Sequence, residues 1–108
     1  MQLANIQWSS VEEEIARTVF ERAYQREITA LMQQVRERAN AIASLEELWM
    51  LHDFLSVRRH EIDGKYEFDQ ASLIFVFAEL LKEGWLQFDE LAGLAPEKQT
   101  KIAALTRM

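Results

Sequence analysis

Cysteine is absent from these 108 residues, so the chain has no disulfide frame, no thiolate nucleophile and no thiolate metal ligand. This fits a reducing compartment. Glycine and proline together number 4 (3 Gly, 1 Pro), where average usage gives roughly 13. That scarcity argues against long loops and a turn-rich β-sandwich. Positive charge is short as well, with 12 basic against 18 acidic side chains and a net charge of −6. Residues 1–54 carry 5 basic and 9 acidic side chains, and residues 55–108 carry 7 and 9. Neither half has the basic footprint of a nucleic-acid binder, nor one for anionic lipid. The longest unbroken apolar run, Leu73–Ala78, is six residues, too short to span a bilayer. The start, MQLANIQWSSVEEE, has neither the basic nor the apolar region of a secretory leader.

What the chain does have is apolar side chains. They make up 49% of the residues and include 3 Trp, 2 Tyr and 6 Phe. Such a chain can offset its conformational entropy and fold, which excludes disorder. One core of this size buries only about 60–70% of the unfolded surface. The apolar surplus points to a partner or a twin subunit.

The order of start and stop signals predicts an all-α chain, residues 1–108 forming one domain. Ser10 with Glu13 three residues on reads as a capping box, and Glu12–Glu14 suit the positive end of a helix dipole. From there to about Ala43 no Gly or Pro interrupts. Val11, Ile15, Val19 and Ala23 fall at steps of four, and Tyr24, Ile28, Leu31, Val35, Ala39 and Ile42 continue at steps of three and four. This is one amphipathic helix of about 30 residues, long enough to need lateral support. Ser44 and Glu47 mark a second start. The helix that follows has one apolar stripe at Leu48, Leu51 and Leu55 and another at Met50, Phe54 and Val57. A helix apolar on nearly every side is expected to be buried all round, and Gly64 is expected to stop it. Asp69 then caps a third helix over about Gln70–Glu83, ended by Gly84. Its run Leu73–Phe77 is also compatible with a strand, but Ala78–Gly84 continues it with helix formers and a stop, which favours helix. Asp89–Ala92 forms a one- or two-turn helix ending at Gly93, and Pro96 opens the last helix, to about Thr106.

Catalytic chemistry has few candidates. His52 and His60 are eight residues apart on one helix, about 12 Å of rise, too far to chelate one metal. His52 and Asp53 are consecutive, so about 100° apart on the helix, and are not expected to pair. There is no phosphate loop and no nucleophile elbow. The unusual feature is a face at steps of 4, 3 and 4: Trp49, Asp53, Ser56 and His60, flanked by His52, Arg59 and Glu61. An exposed Trp beside Asp, His and Arg is a binding hot spot. A Trp packed in the core with a solvated ion-pair face around it is the other reading, and exposure of Trp49 separates the two. Phe75 and Phe77, two residues apart, point to different faces, one to the core and one outward. Trp8, just before the serines, reads as a hydrophobic staple.

The segment Trp49–Tyr66, W-x-L-H-D-F-L-S-x-x-R-H-E-I-D-G-K-Y, resembles the fluorescence recovery protein family of cyanobacteria. Ala23–Glu27, Ile74–Ala78, Leu80–Gly84, Trp8-Ser9, Lys98-Gln99 and Lys101-Ile102 agree as well. Residues 28–43 match more loosely, and Trp85 is larger than the aliphatic residue expected there. The resemblance implies an all-α homodimer: a long N-terminal amphipathic helix, a central helix and a C-terminal cluster of shorter helices. It implies a cytoplasmic, non-enzymatic regulator without cofactor, small-molecule substrate or nucleic acid, in peripheral contact with the phycobilisome or thylakoid membrane. Its implied partner is the orange carotenoid protein, chiefly the C-terminal domain of that photoreceptor. The regulator speeds return of the red, active form to the orange form and helps it leave the antenna, restoring fluorescence. Family binding residues carry over onto Trp49, His52, Asp53, Arg59, Phe75 and Lys101, and His60 completes the α-helical face. Leu48 matches a dimer-interface position, with Leu51 and Leu55 continuing its stripe. Three other readings stay open: an adaptor for another partner, an antenna linker, and an enzyme with a pocket not visible in the sequence.

Overall fold

A computed structural model describes residues 6–108. Four α-helices and one 3-10 turn make up its regular structure: α1 (Ser10–Ala41), α2 (Leu45–Lys65), α3 (Leu73–Glu83), the 3-10 turn Phe88–Leu91, and α4 (Pro96–Thr106). No strand occurs among the described residues, so Leu73–Phe77 is helical.

The capping box of α1 sits one residue earlier than its pattern suggests. Ser9 is the cap, its Oγ accepting from the Glu12 N–H while Glu12 accepts from the Ser9 N–H, both at 3.1 Å. The choice is made by tertiary structure. Glu12 also receives the Ala95 N–H at 2.9 Å and the Lys98 ammonium at 3.0 Å, whereas Glu13 faces Arg17 and Gln70. Helix α1 runs 32 residues to Ala41. After a short bend, Ser44 caps α2 by accepting from the Glu47 N–H at 3.1 Å.

Gly64 does not stop α2. The helix passes through it to Lys65, and Tyr66 is the cap. Lys65 and Tyr66 are both bonded to Glu27 of α1, which holds the last turn in helical form. Helix α3 begins at Leu73 rather than Gln70. Asp69 organises a turn before it, its carboxylate accepting from the Ala71 N–H and its carbonyl from the Ser72 N–H. At the other end Gly84 takes φ +86°, and the Trp85 and Gly84 N–H groups reach back to Leu80 and Leu81. This double closure needs a residue at ease in the left-handed region. Pro96 occupies the first turn of α4 as expected.

The core lies at one end of a molecule measuring 52 × 24 × 23 Å. Ala16, Val19, Phe20 and Ala23 of α1 meet Leu73, Ile74, Phe77, Ala78 and Leu80 of α3, with Leu86, Leu91 and Leu94 from the connection and Ile102 from α4. Phe20 makes edge-on contacts to Tyr66 and Phe68 at centroid distances of 5.4 and 5.3 Å. Trp8 packs on this core with the Lys98 ammonium 5.1 Å from its ring centroid. Helix α2 is not buried all round: only Ile62 of its side chains is buried, and Leu45, Leu48, Met50 and Val57 are exposed. A single head cannot reach both stripes of a helix that leads away from it. The C-terminal half of α1 and most of α2 therefore form an arm beyond the core.

Candidate interaction surface

Helix α2 presents the candidate side chains. Its start is fixed by Ser44 and its end by Glu27, so the rotation of the helix about its axis is set from both ends. Trp49 is 56% exposed, which settles its reading in favour of a surface aromatic. Its ring stands edge-on to the His52 ring at 6.2 Å between centroids. His52 Nδ1 lies 3.3 Å from Asp53 Oδ1, contrary to the expectation from helical angle. Both side chains are solvent-exposed and free to swing toward each other along the helix surface. Trp49, His52 and Asp53 thus form one contact group. Arg59 is exposed, its Nε 3.7 Å from Asp63. Ser56 and His60 are exposed on the same helix.

The remaining candidates stand on other elements. Phe75, on α3, is 47% exposed while Phe77 is fully buried. It lines a groove between α2 and α3 with Glu61, Lys65 and Val76. Lys101 is half-buried on α4. Leu48 is exposed, and Leu51 and Leu55 are half-buried. Phe54 is stacked under the Arg38 guanidinium at 3.8 Å, which joins the two helices of the arm.

Three ion clusters escaped the reading of the sequence. Glu27, 1% exposed, receives Arg58 at 2.8 Å, the Lys65 ammonium at 2.7 Å and the Tyr66 hydroxyl at 2.7 Å. Burial works to raise its pKa, but the bonds from Lys65, Tyr66 and Arg58 prevail and hold it below the usual carboxylate range. Burial and the neighbouring Glu27 push the Tyr66 phenol far up. A signal for Glu27 existed: it is the next four-residue step after Val11, Ile15, Val19 and Ala23, an acid on the apolar stripe. The second cluster is Glu12 with Lys98. The third is Glu90, which takes Arg26 at 2.8 Å and Arg22 at 3.1 Å.

Among the described residues no group of His, Cys, Asp and Glu side chains has the arrangement to hold a metal ion, and no helix is long and apolar enough to cross a membrane. The exposed aromatic, imidazole, carboxylate and guanidinium groups on one helix suit recognition of another protein surface.

The sequence profile of the family described as photoprotection regulator fluorescence recovery protein matches residues 8–106. The fluorescence recovery protein of Synechocystis sp. PCC 6803 is 51% identical over 108 residues, covering 100% of this chain and 99% of the relative. The solved structure of the Fremyella diplosiphon fluorescence recovery protein superposes with a TM-score of 0.92 at 55% identity, covering 94% of this chain and 100% of that one. That of the Synechocystis sp. PCC 6803 protein gives 0.91 at 52% identity, with the same coverage of both chains.

Proposed function

The chain belongs to the fluorescence recovery protein family of photoprotection regulators, and from that membership we propose that it binds the photoactivated orange carotenoid protein. It acts as one domain, non-enzymatically, in the cytoplasm, in peripheral contact with the antenna at the thylakoid. It docks mainly on the photoreceptor's C-terminal domain, speeds the red-to-orange reversion and promotes detachment from the phycobilisome. The observation that carries this reading is the exposed Trp49–His52–Asp53 group with Arg59 on the same helix, in a chain similar over its full length to a fluorescence recovery protein.

The physics of such an accelerator needs no bond made or broken. Two domains of a photoreceptor that have come apart return faster when a third surface holds one of them in the geometry that accepts the other. Binding accelerates the return only where it favours the route back over the open state, since equal affinity along the route changes no rate. Trp49 supplies apolar area at the centre of the surface. Asp53 and Arg59 set orientation through charge-assisted hydrogen bonds. Phe75 and Lys101 extend the surface onto the head.

The test is recovery of the orange form in the dark, followed by absorbance, with and without the protein. Arg59→Leu and Asp53→Leu are expected to slow recovery while leaving helical content unchanged, since both side chains are exposed. Trp49→Ala removes the anchor; a hot-spot aromatic contributes about 2 kcal/mol, so binding weakens about 30-fold. Unchanged recovery with folded variants overturns the assignment.

A further inference from the structure

We propose that Glu27 is a positioning residue, the lock that fixes the rotation and register of α2 against α1 where the arm meets the head. This rests on the partner-binding reading of α2 given above. Every buried side chain of α1 lies between Ala16 and Glu27, and Ile62 is the buried side chain of α2. Beyond that level no core holds the two helices. Glu27 is therefore the last buried group before the arm begins. Its two oxygens take Arg58, Lys65 and Tyr66, spread over two turns of α2 and its cap. Lys65 also reaches Glu83 of α3, so one carboxylate ties α1 to α2 and, through Lys65, to α3.

Hydrogen bonds to a buried carboxylate are directional where apolar packing is not, and a fully satisfied buried polar network rigidifies the elements it joins. Arg58 turned inward onto Glu27 obliges its neighbour Arg59, about 100° further round the helix, to face solvent. The same lock fixes where Trp49 on the arm stands relative to Phe75 on α3. A partner that touches both needs them at one separation. An arm in that position a tenth of the time binds about tenfold more weakly.

The test reads geometry in the chain alone and binding separately. The chain has no cysteine, so Val57→Cys on α2, beside Arg58, and Lys82→Cys on the head, both at exposed positions, accept spin labels. Labelled chain is diluted with unlabelled chain so that distances within one protomer are measured. Glu27→Gln is expected to broaden the 57–82 distance distribution and to weaken binding to the photoactivated carotenoid protein about tenfold. Tyr66→Phe, which removes one hydrogen bond from the cluster, broadens it less and serves if Glu27→Gln fails to fold. Val19→Ala, a core truncation, lowers the melting temperature while leaving distance and binding as in the parent. The proposal is overturned if the Glu27→Gln and Tyr66→Phe distributions are as narrow as the parent's, if Val19→Ala broadens its distribution equally, or if a broadened arm binds unchanged. Should the parent itself not bind or accelerate the photoreceptor, the proposed function fails, and the distances still decide whether Glu27 locks the arm.

Discussion

Glu12 does two things with one carboxylate: it closes the cap of α1 on Ser9, and it clasps α4 through Ala95 and Lys98. Burial works to raise its pKa; the Ala95 N–H, the Lys98 ammonium and the Ser9 N–H outweigh it and hold the group at about 2, against an ordinary 4.5. Glu90 is also held at about 2, by Arg26 foremost, against burial, with the Gln87 N–H and Arg22 assisting. Both folded-state values lie below the unfolded one, so their stabilisation is present above about pH 5 and is lost as the pH falls toward 2. For Glu12, 12% exposed beside Lys98 at 3%, solvent screening is small and the contribution is about 2–3 kcal/mol; the guanidinium partners of Glu90 are 48% and 43% exposed, so screening makes its contribution smaller. Glu12→Gln is therefore expected to lower the melting temperature at pH 7 by about 10 °C and to flatten the loss of stability between about pH 5 and pH 3. Thermal melts followed by circular dichroism across that range check this. A variant that keeps the parent's slope shows that the clasp does not depend on charge.

Two glycines at the scale of the element separate what a sequence discloses from what it does not. Gly64 and Gly84 both follow helical patterns, yet only Gly84 adopts a positive φ. Glycine has the freedom to end a helix, but whether the chain uses it depends on what lies beyond. After Gly84 the Trp85 N–H folds back on Leu80; after Gly64, Lys65 and Tyr66 continue onto Glu27. Gly84→Ala is accordingly expected to cost about 1–2 kcal/mol. Gly64→Ala, helical and with nothing within 4 Å of the added methyl, is expected to stabilise by up to about 1 kcal/mol. Denaturant titrations of opposite sign for the two variants check both, and equal signs refute the distinction. The same division runs through the site. Spacing placed Trp49, Asp53, Ser56 and His60 on one face, because helical period is a local property. It did not reveal that Trp49 is exposed or that His52 reaches Asp53, since exposure depends on where the head ends. It put the first cap on Ser10 instead of Ser9, because adjacent serines before adjacent acids are equivalent until Ala95 and Lys98 choose between them. Four helices, the Gly84 stop and the Pro96 start were legible because each is written in a few neighbouring residues.

The whole molecule sets a head with a packed core beside an arm whose apolar side chains outnumber its buried ones. Leu45, Leu48, Met50 and Val57 stand exposed on α2 along with Trp49. Scattered apolar residues are ordinary on a surface, but Leu45, Leu48 and Trp49 fall within one arc of the helix, with Met50 and Val57 on a second, and such a concentration on one helix marks an interface. A stable dimer takes about 800 Å² from each partner, about a ninth of this chain's 7161 Å², an area within reach of a long exposed helix. Leu48 and Trp49 are consecutive, so about 100° apart, and the two contacts adjoin on α2, with His52 one turn from Leu48 and Arg59 one turn from Leu55. The parent is therefore expected to elute as a dimer, with Leu48, Leu51 and Leu55 in the contact. Leu48→Glu places a charge at the centre of that contact while leaving the head intact, since Leu48 is outside the core. It is expected to elute as a monomer of undiminished helical content in size-exclusion chromatography with light scattering at micromolar concentration. Retention of the Trp49 face predicts that this monomer still binds the photoactivated carotenoid protein. A Leu48→Glu variant that remains dimeric on dilution moves the subunit contact off this face of α2, and the exposed stripe then has to be assigned to the partner.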